Sequence, residues 1–327
     1  MKRLMDNDSV LVAGSGPAGM MVANELLRRG IGCRLIDKAT TPDETSRAFT
    51  VQARTLEMLE HIGIAHRFLE NGEPAPGFTF NFNGFTEQPR LDFTRLDNTR
   101  YRYILKVSQT DTERLLREHL ESAYSTRPEW GTELTDLKPD ADGVTVELKH
   151  ADGSPEVTRV RWLVACDGVH SRVRKSLGLS FSGRVYQDMV LQMMDAPLDG
   201  YPGDGAWINY YMEKDFFLTI SKLPGRNHRL LLSDLGQSVK PGVPRREVFQ
   251  AAWAARVAAD PARPSGGDSP PTVTQYSTPR SKSASRVSQK AAQANHCPSG
   301  ARTVSSAAAP ESAPNTRATV RIPQGSG

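Results

Sequence analysis

Cysteine is scarce in this 327-residue chain: Cys33, Cys166 and Cys297 are odd in number and widely spaced, which excludes a disulfide framework and a cysteine metal cluster. Long apolar runs are also missing, and none approaches the roughly 18 residues needed to cross a bilayer. The opening Met1-Lys-Arg-Leu-Met-Asp-Asn-Asp8 places acids where a signal peptide needs its apolar stretch. With 38% apolar and 24% charged residues, the chain is neither a membrane protein nor wholly disordered. It reads as soluble and cytoplasmic, with no metal site and length enough for two domains.

A further absence is local. The last 74 residues contain no Leu, Phe, Met or Trp, and 47 of them are Ala, Ser, Pro, Gly or Thr. Ordering such a segment costs on the order of 1–2 kcal/mol per residue in backbone entropy. It has almost no apolar surface to bury in return, so residues 254–327 are expected to be a disordered tail. The break near Trp253 is abrupt enough to suggest a frame-shifted or foreign reading of a longer gene. The tail also carries the positive charge. Its nine Lys/Arg against three Asp/Glu leave 32 basic and 34 acidic residues before Ala254, so the net charge of +4 says little about what the body binds. Without interleaved aromatics, the tail's cations do not indicate nucleic acid.

The body is patterned. Ser9–Ala13 is a short apolar run suited to a buried strand, Pro17–Arg29 has helical spacing ahead of Gly30, and Cys33–Ile36 is a second apolar run. Strand, turn, helix and strand make a βαβ unit with parallel strands. A helix is expected over Arg54–His61, ended by Gly63, and a half-buried strand over Phe78–Phe82. Thr110-Asp-Thr-Glu113 resembles a capping box ahead of Leu115, Leu116 and Leu120. Asp142-Gly143 and Asp152-Gly153 flank an alternating strand, Val144–Leu148, and Arg161–Cys166 is another apolar strand. Strands at Trp207–Met212, Phe216–Ser221 and Arg229–Ser233 follow. The expected fold is α/β (α+β): a Rossmann-like lobe from 1–75 and 104–185, interleaved with a smaller β-rich lobe from 76–103 and 186–253.

The chemistry concentrates at Gly14-Ser-Gly16-Pro17-Ala18-Gly19, a G-x-G-x-x-G between strand and helix. Gly14 permits the tight turn, Gly16 lets backbone approach a pyrophosphate, and Gly19 lets the helix pack closely. The helix N-terminus offers free N–H groups to phosphate. Asp37 ends the second strand, where an acid can hold the adenosine ribose. The motif alone does not separate FAD from NAD.

Cys166-Asp167-Gly168-Val-His-Ser-Arg172-Val-Arg174 resembles the Asp-Gly fingerprint of the FAD-dependent aromatic (phenol) hydroxylases, single-component flavoprotein monooxygenases. Ser46-Arg47-Ala48, Arg54–Gly63, Ser108–Leu116, Asn24–Gly30, Glu129–Thr132, Leu191–Asp195 and Ser233–Gly236 resemble the same family, over roughly residues 9–250. The resemblance implies that NAD(P)H reduces FAD and that a flavin C4a-hydroperoxide delivers oxygen to a phenolic ring. It implies that Gly14, Gly16, Pro17, Ala18, Gly19 and Asp37 bind the ADP half of FAD, and that Arg47 and Gln109 contact the pyrophosphate and ribityl chain. Asp167 and Gly168 would serve both FAD and the nicotinamide cofactor, with Arg172 as a phosphate contact. Tyr210 would hydrogen-bond the substrate oxygen and Arg229 would stabilise its anion. The implied partners are a small phenolic substrate and O₂, with no nucleic acid, no membrane and a homodimer as one open state of assembly.

The chain departs from the family late. A third fingerprint, Gly-Asp after a strand, is expected there; Gly267-Asp268 lacks the strand and runs into Ser-Pro-Pro. Two other readings therefore stand beside the hydroxylase: a non-catalytic remnant with weak nucleotide binding, and an NAD(P)-dependent Rossmann dehydrogenase.

Overall fold

A computed structural model describes residues 9–43, 48–85, 87–183, 190–234, 245–258 and 272–273. Every described residue lies within one compact unit, Met1–Pro279.

The chain opens β1 (Val10–Ala13), α1 (Pro17–Arg28), β2 (Arg34–Asp37), β3 (Thr50–Val51), α2 (Ala53–His61), α3 (Ala65–Asn71), β4 (Glu73–Ala75), β5 (Gly77–Phe82) and β6 (Arg90–Asp92). It continues with β7 (Ile104–Lys106), α4 (Gln109–Tyr124), β8 (Glu129–Trp130), β9 (Glu133–Pro139), β10 (Val144–Lys149), β11 (Pro155–Val160), β12 (Trp162–Ala165) and α5 (Arg172–Ser176). The last elements are β13 (Val190–Asp199), β14 (Ile208–Met212), β15 (Phe216–Lys222), β16 (Asn227–Asp234), α6 (Arg245–Ala258) and β17 (Thr272–Val273).

β12, β1, β2 and β8 form a parallel sheet in that order, as the βαβ reading requires. Its central strand is apolar throughout because both faces are covered. Val10 and Val12 join a core with Met20 and Leu27 of α1 and Leu116 and Leu120 of α4, while Leu11 and Ala13 join Leu134, Val146 and Leu148 of the antiparallel sheet β11-β10-β9. Arg34 of β2 reinforces that seam, pairing with Glu129 at 2.7 Å and Glu156 at 2.6 Å.

A seven-stranded sheet runs β17-β13-β16-β15-β14-β5-β6, antiparallel except where β5 lies parallel to β14. On one face, Tyr211, Leu218, Ile220, Leu230 and Leu232 pack under Val248, Phe249 and Trp253 of α6. On the other, Ile208, Phe78 and Tyr210 cluster with Ile104, Phe49 and Phe93. Ile104 belongs to the small sheet β3-β7-β4.

Four expectations are corrected. α4 starts at Gln109, not inside Thr110–Glu113: Ser108 is the cap, its Oγ accepting from the Asp111 N–H at 3.0 Å and donating to the Asp111 carboxylate at 2.7 Å. The serine wins because it sits where the backbone is still extended, as an N-cap must. α6 runs to Ala258, past the boundary expected at Trp253, because Arg256 is buried and pairs with Glu213 at 2.7 Å. Composition sees the loss of apolar residues but not an anchor made by charge. α3, between Gly63 and Glu73, has no counterpart among the expected helices: seven residues carry too few apolar positions to show a period. Within the same tail Thr272–Val273 form β17 against Leu198–Asp199 of β13, contrary to the expected disorder, and the rest of the tail beyond Ala258 falls outside the described residues.

Candidate active site

The carboxyl ends of β1, β2 and β12 converge on a cleft of 390 Å³ lined by Gly14, Gly16, Asp37, Cys166, Asp167 and Gly168, with Thr132–Leu134 as a further wall. Ligand crevices in open parallel sheets form at such strand ends. The three glycines of the loop have distinct tasks. Gly14 has φ +100°, and a Cβ there would overlap the Cys166 carbonyl of the neighbouring strand. A Cβ on Gly19 would overlap the Gly14 carbonyl, so its lack of side chain lets α1 sit against the loop. A Cβ on Gly16 would meet no atom within 4 Å, so the backbone there stands open toward the cleft.

Gly16 also caps α1 without any side-chain hydrogen bond, and Pro17 fills the first helical position, where a missing N–H costs nothing. Ala18 is exposed in the next position. The first-turn N–H groups of α1 thus lack a capping side chain, which is the donor set a diphosphate needs. The open backbone at Gly16, the uncapped helix and the acid at the end of β2 fit an adenine dinucleotide.

The carboxylates in the cleft are already engaged. Asp37 Oδ2 accepts from the Ser15 N–H at 2.7 Å and from its Oγ at 2.9 Å, and Oδ1 accepts from the Ala39 N–H at 2.9 Å. Asp167 Oδ2 accepts from the N–H groups of Arg172 at 2.6 Å and Val173 at 3.1 Å, so this carboxylate holds the first turn of α5. Arg172 lines the cleft, but its Nε donates to the Thr135 carbonyl at 2.6 Å. Lys38, His170 and Lys175 also line the cleft. Burial, assisted by the Asp167 charge, pushes the Cys166 thiol up, which disfavours the thiolate.

Gln109 is not among the residues lining this cleft. It begins α4, and its Nε2 donates to Glu113 at 2.8 Å. Burial raises the Glu113 carboxyl above its ordinary value, with the Gln109 hydrogen bond opposing. Arg47 lies outside the described residues.

Tyr210 and Arg229 share the face of the seven-stranded sheet that is turned away from α6. Cross-strand register puts Tyr210 beside Thr219 and Phe80, and Arg229 beside Ser221 and Asp195. Tyr210 sits in an aromatic cage, its ring 5.5 Å from Phe80, 5.6 Å from Phe78 and 6.0 Å from Phe217. Burial raises its phenol pKa, an effect the neighbouring Thr219 hydroxyl opposes. Arg229, expected to stabilise the substrate anion, already has a carboxylate partner. It is 1% exposed, its guanidinium forks onto both carboxylate oxygens of Asp195, and it lies 5.3 Å over the Phe49 ring. The pairing follows from register, since β13 and β16 place the two residues directly opposite. Reading the sequence misses Ser15, which occupies an unspecified position of the glycine motif, and Asp195, whose partner is set by a pairing of distant strands.

The chain matches the FAD binding domain family over residues 7–287 and belongs to it. It is 44% identical over 243 residues to pentachlorophenol 4-monooxygenase of Sphingobium chlorophenolicum, covering 74% of this chain and 45% of that protein. It is 41% identical over 184 residues to 6-methylpretetramide 4-monooxygenase of Streptomyces rimosus, covering 56% of this chain and 32% of that protein. The chain therefore spans less than half the length of these curated relatives. Among solved structures, p-nitrophenol 4-monooxygenase from Pseudomonas putida DLL-E4 shares the fold with a TM-score of 0.66 at 21% identity, over 79% of this chain and 64% of that one. Family membership replaces the dehydrogenase alternative. Among the described residues, no helix is long and apolar enough to cross a membrane.

Proposed function

We propose that this chain carries the adenosine-binding and substrate-facing parts of an FAD- and NAD(P)H-dependent monooxygenase that hydroxylates a phenolic ring. The observation that carries the reading is the convergence of Gly14, Gly16, Asp37, Asp167 and Gly168 on one cleft at the ends of three parallel strands. In this reading, residues 1–75 and 104–185 bind the cofactor, while 76–103 and 186–253, with α6 to Ala258, face the substrate.

When bound and reduced by NAD(P)H, the flavin would supply the activation of O₂ and the transfer of one oxygen atom. The chain's own residues bind and orient. The uncapped turn of α1 holds the diphosphate, and Asp37 accepts from the ribose. Asp167 acts at one remove, keeping α5 and Gly168 in place beside the cleft.

On the substrate side, the raised phenol pKa keeps Tyr210 protonated, so its hydroxyl donates to the substrate oxygen and favours the phenolate. The rings of Phe78, Phe80 and Phe217 exclude water from that hydrogen bond. Arg229 fixes Asp195 and the Phe49 ring rather than meeting the anion as a free charge.

The test is NAD(P)H oxidation by the purified chain with added FAD, with and without a panel of simple phenols. Phenol-stimulated oxidation together with hydroxylated product supports the reading. A folded protein that binds FAD but shows no stimulation leaves the non-catalytic remnant.

A further inference from the structure

A carboxylate has about four lone-pair positions, two on each oxygen. Among the described residues, Asp37 has three filled from within the protein: Ser15 N–H and Ser15 Oγ on Oδ2, and Ala39 N–H on Oδ1. Ser15 is 2% exposed and cannot swing into solvent without opening the glycine loop. Its backbone N–H is equally committed by its own bond to Oδ2, in a loop held on one side by the Gly14 N–H on the Ile36 carbonyl at 2.8 Å and on the other by Gly16 at the cap of α1. Oδ2 is thus saturated by a single residue of the loop that is to hold the diphosphate, and Oδ1 keeps one free position.

We infer that Asp37 accepts a hydrogen bond from only one of the two ribose hydroxyls, and that Ser15 is the positioning residue that enforces this. The inference rests on the adenosine-binding reading above and deepens it: the cleft distinguishes adenine nucleotides by which ribose hydroxyl they carry. An acid with both oxygens free would grip the 2′- and 3′-hydroxyls together and lose affinity equally when either is removed. Here the two hydroxyls are unequal. The Ser15 side chain, which a glycine motif leaves unspecified, becomes a determinant of ligand choice.

The experiment measures the binding of ADP, 2′-deoxy-ADP and 3′-deoxy-ADP to the full chain by isothermal titration calorimetry. One deoxy analogue is expected to bind at least about fivefold more weakly than ADP, and the other within about twofold of it. Ser15→Ala returns an acceptor position on Oδ2 while both backbone bonds remain, so each carboxylate oxygen has one position free and the ratio between the two analogues shrinks to less than about half its starting value. A merely structural loss at Ser15 would weaken all three nucleotides alike and leave that ratio unchanged, which overturns the role given to Ser15. Equal losses for both analogues in the unmodified protein, or no loss for either, overturn the single-hydroxyl inference while leaving the adenosine site standing. Failure of ADP itself to bind overturns both.

Discussion

At the scale of single residues, the three motif glycines separate stability from binding. A Cβ at Gly14 meets a backbone carbonyl and φ is +100°, so Gly14→Ala should cost about 1–3 kcal/mol in urea unfolding and also remove FAD binding. Gly16 has open space and an extended backbone at φ −68° and ψ −177°, so Gly16→Ala should leave the unfolding midpoint unchanged while abolishing binding. A destabilised Gly16→Ala would mean that the open face is a packing site. Asp195 makes a second case. Asp195→Ala leaves the Arg229 guanidinium buried without its partner, and should cost about 3 kcal/mol. Replacing both, Asp195→Ala with Arg229→Met, should recover most of that loss. The same unfolding experiment checks it, and a double variant no better than the single one would contradict the account of Arg229 as a buried cation held by the more exposed Asp195.

At the scale of elements, what is legible in the sequence is what local chemistry dictates. β1 announces itself as a run with apolar residues on both faces, and the structure covers both, with α1 and α4 on one side and β9–β11 on the other. Gly30 and Gly63 mark the ends of α1 and α2 by their left-handed backbone, φ +74° and +84°. What is illegible depends on partners remote in sequence. Asp37 and Asp167 stand at the cleft, as their motifs imply, yet their carboxylate bonds to Ser15 and to the start of α5 are set by how the loops fold back. The start of α4 is misread from sequence because Thr110 and Glu113 imitate a capping pair inside the helix. Ser108→Ala should therefore destabilise the protein by about 1 kcal/mol, with Thr110→Ala close to neutral, as thermal unfolding of the two variants will reveal. The reverse order would restore the cap to Thr110.

At the scale of the whole molecule, two half-buried histidines, His119 and His228, set a pH dependence. Burial lowers the pKa of His119, aided by the Arg67 charge, and that of His228, aided by Lys222 and Lys106, with Glu73 opposing at His228. In the unfolded chain both take up a proton as pH falls through the ordinary value of 6.5, whereas in the fold they do so only at lower pH. The unfolded state therefore binds more protons in that window, and stability present above 6.5 is lost as pH falls through the lowered values. The melting temperature should drop between about pH 7.5 and about pH 5.5, and a rise across this range would contradict the burial of these imidazoles in neutral form. The central claim for the molecule is that the cleft at the ends of β1, β2 and β12 receives the adenosine diphosphate half of FAD. It is tested most directly by titrating the full chain with FAD, followed by flavin fluorescence, and then competing with ADP or with FMN. The account predicts that FAD binds and that ADP displaces it while FMN does not. Displacement by FMN and not by ADP, or no binding of FAD at all, would contradict it.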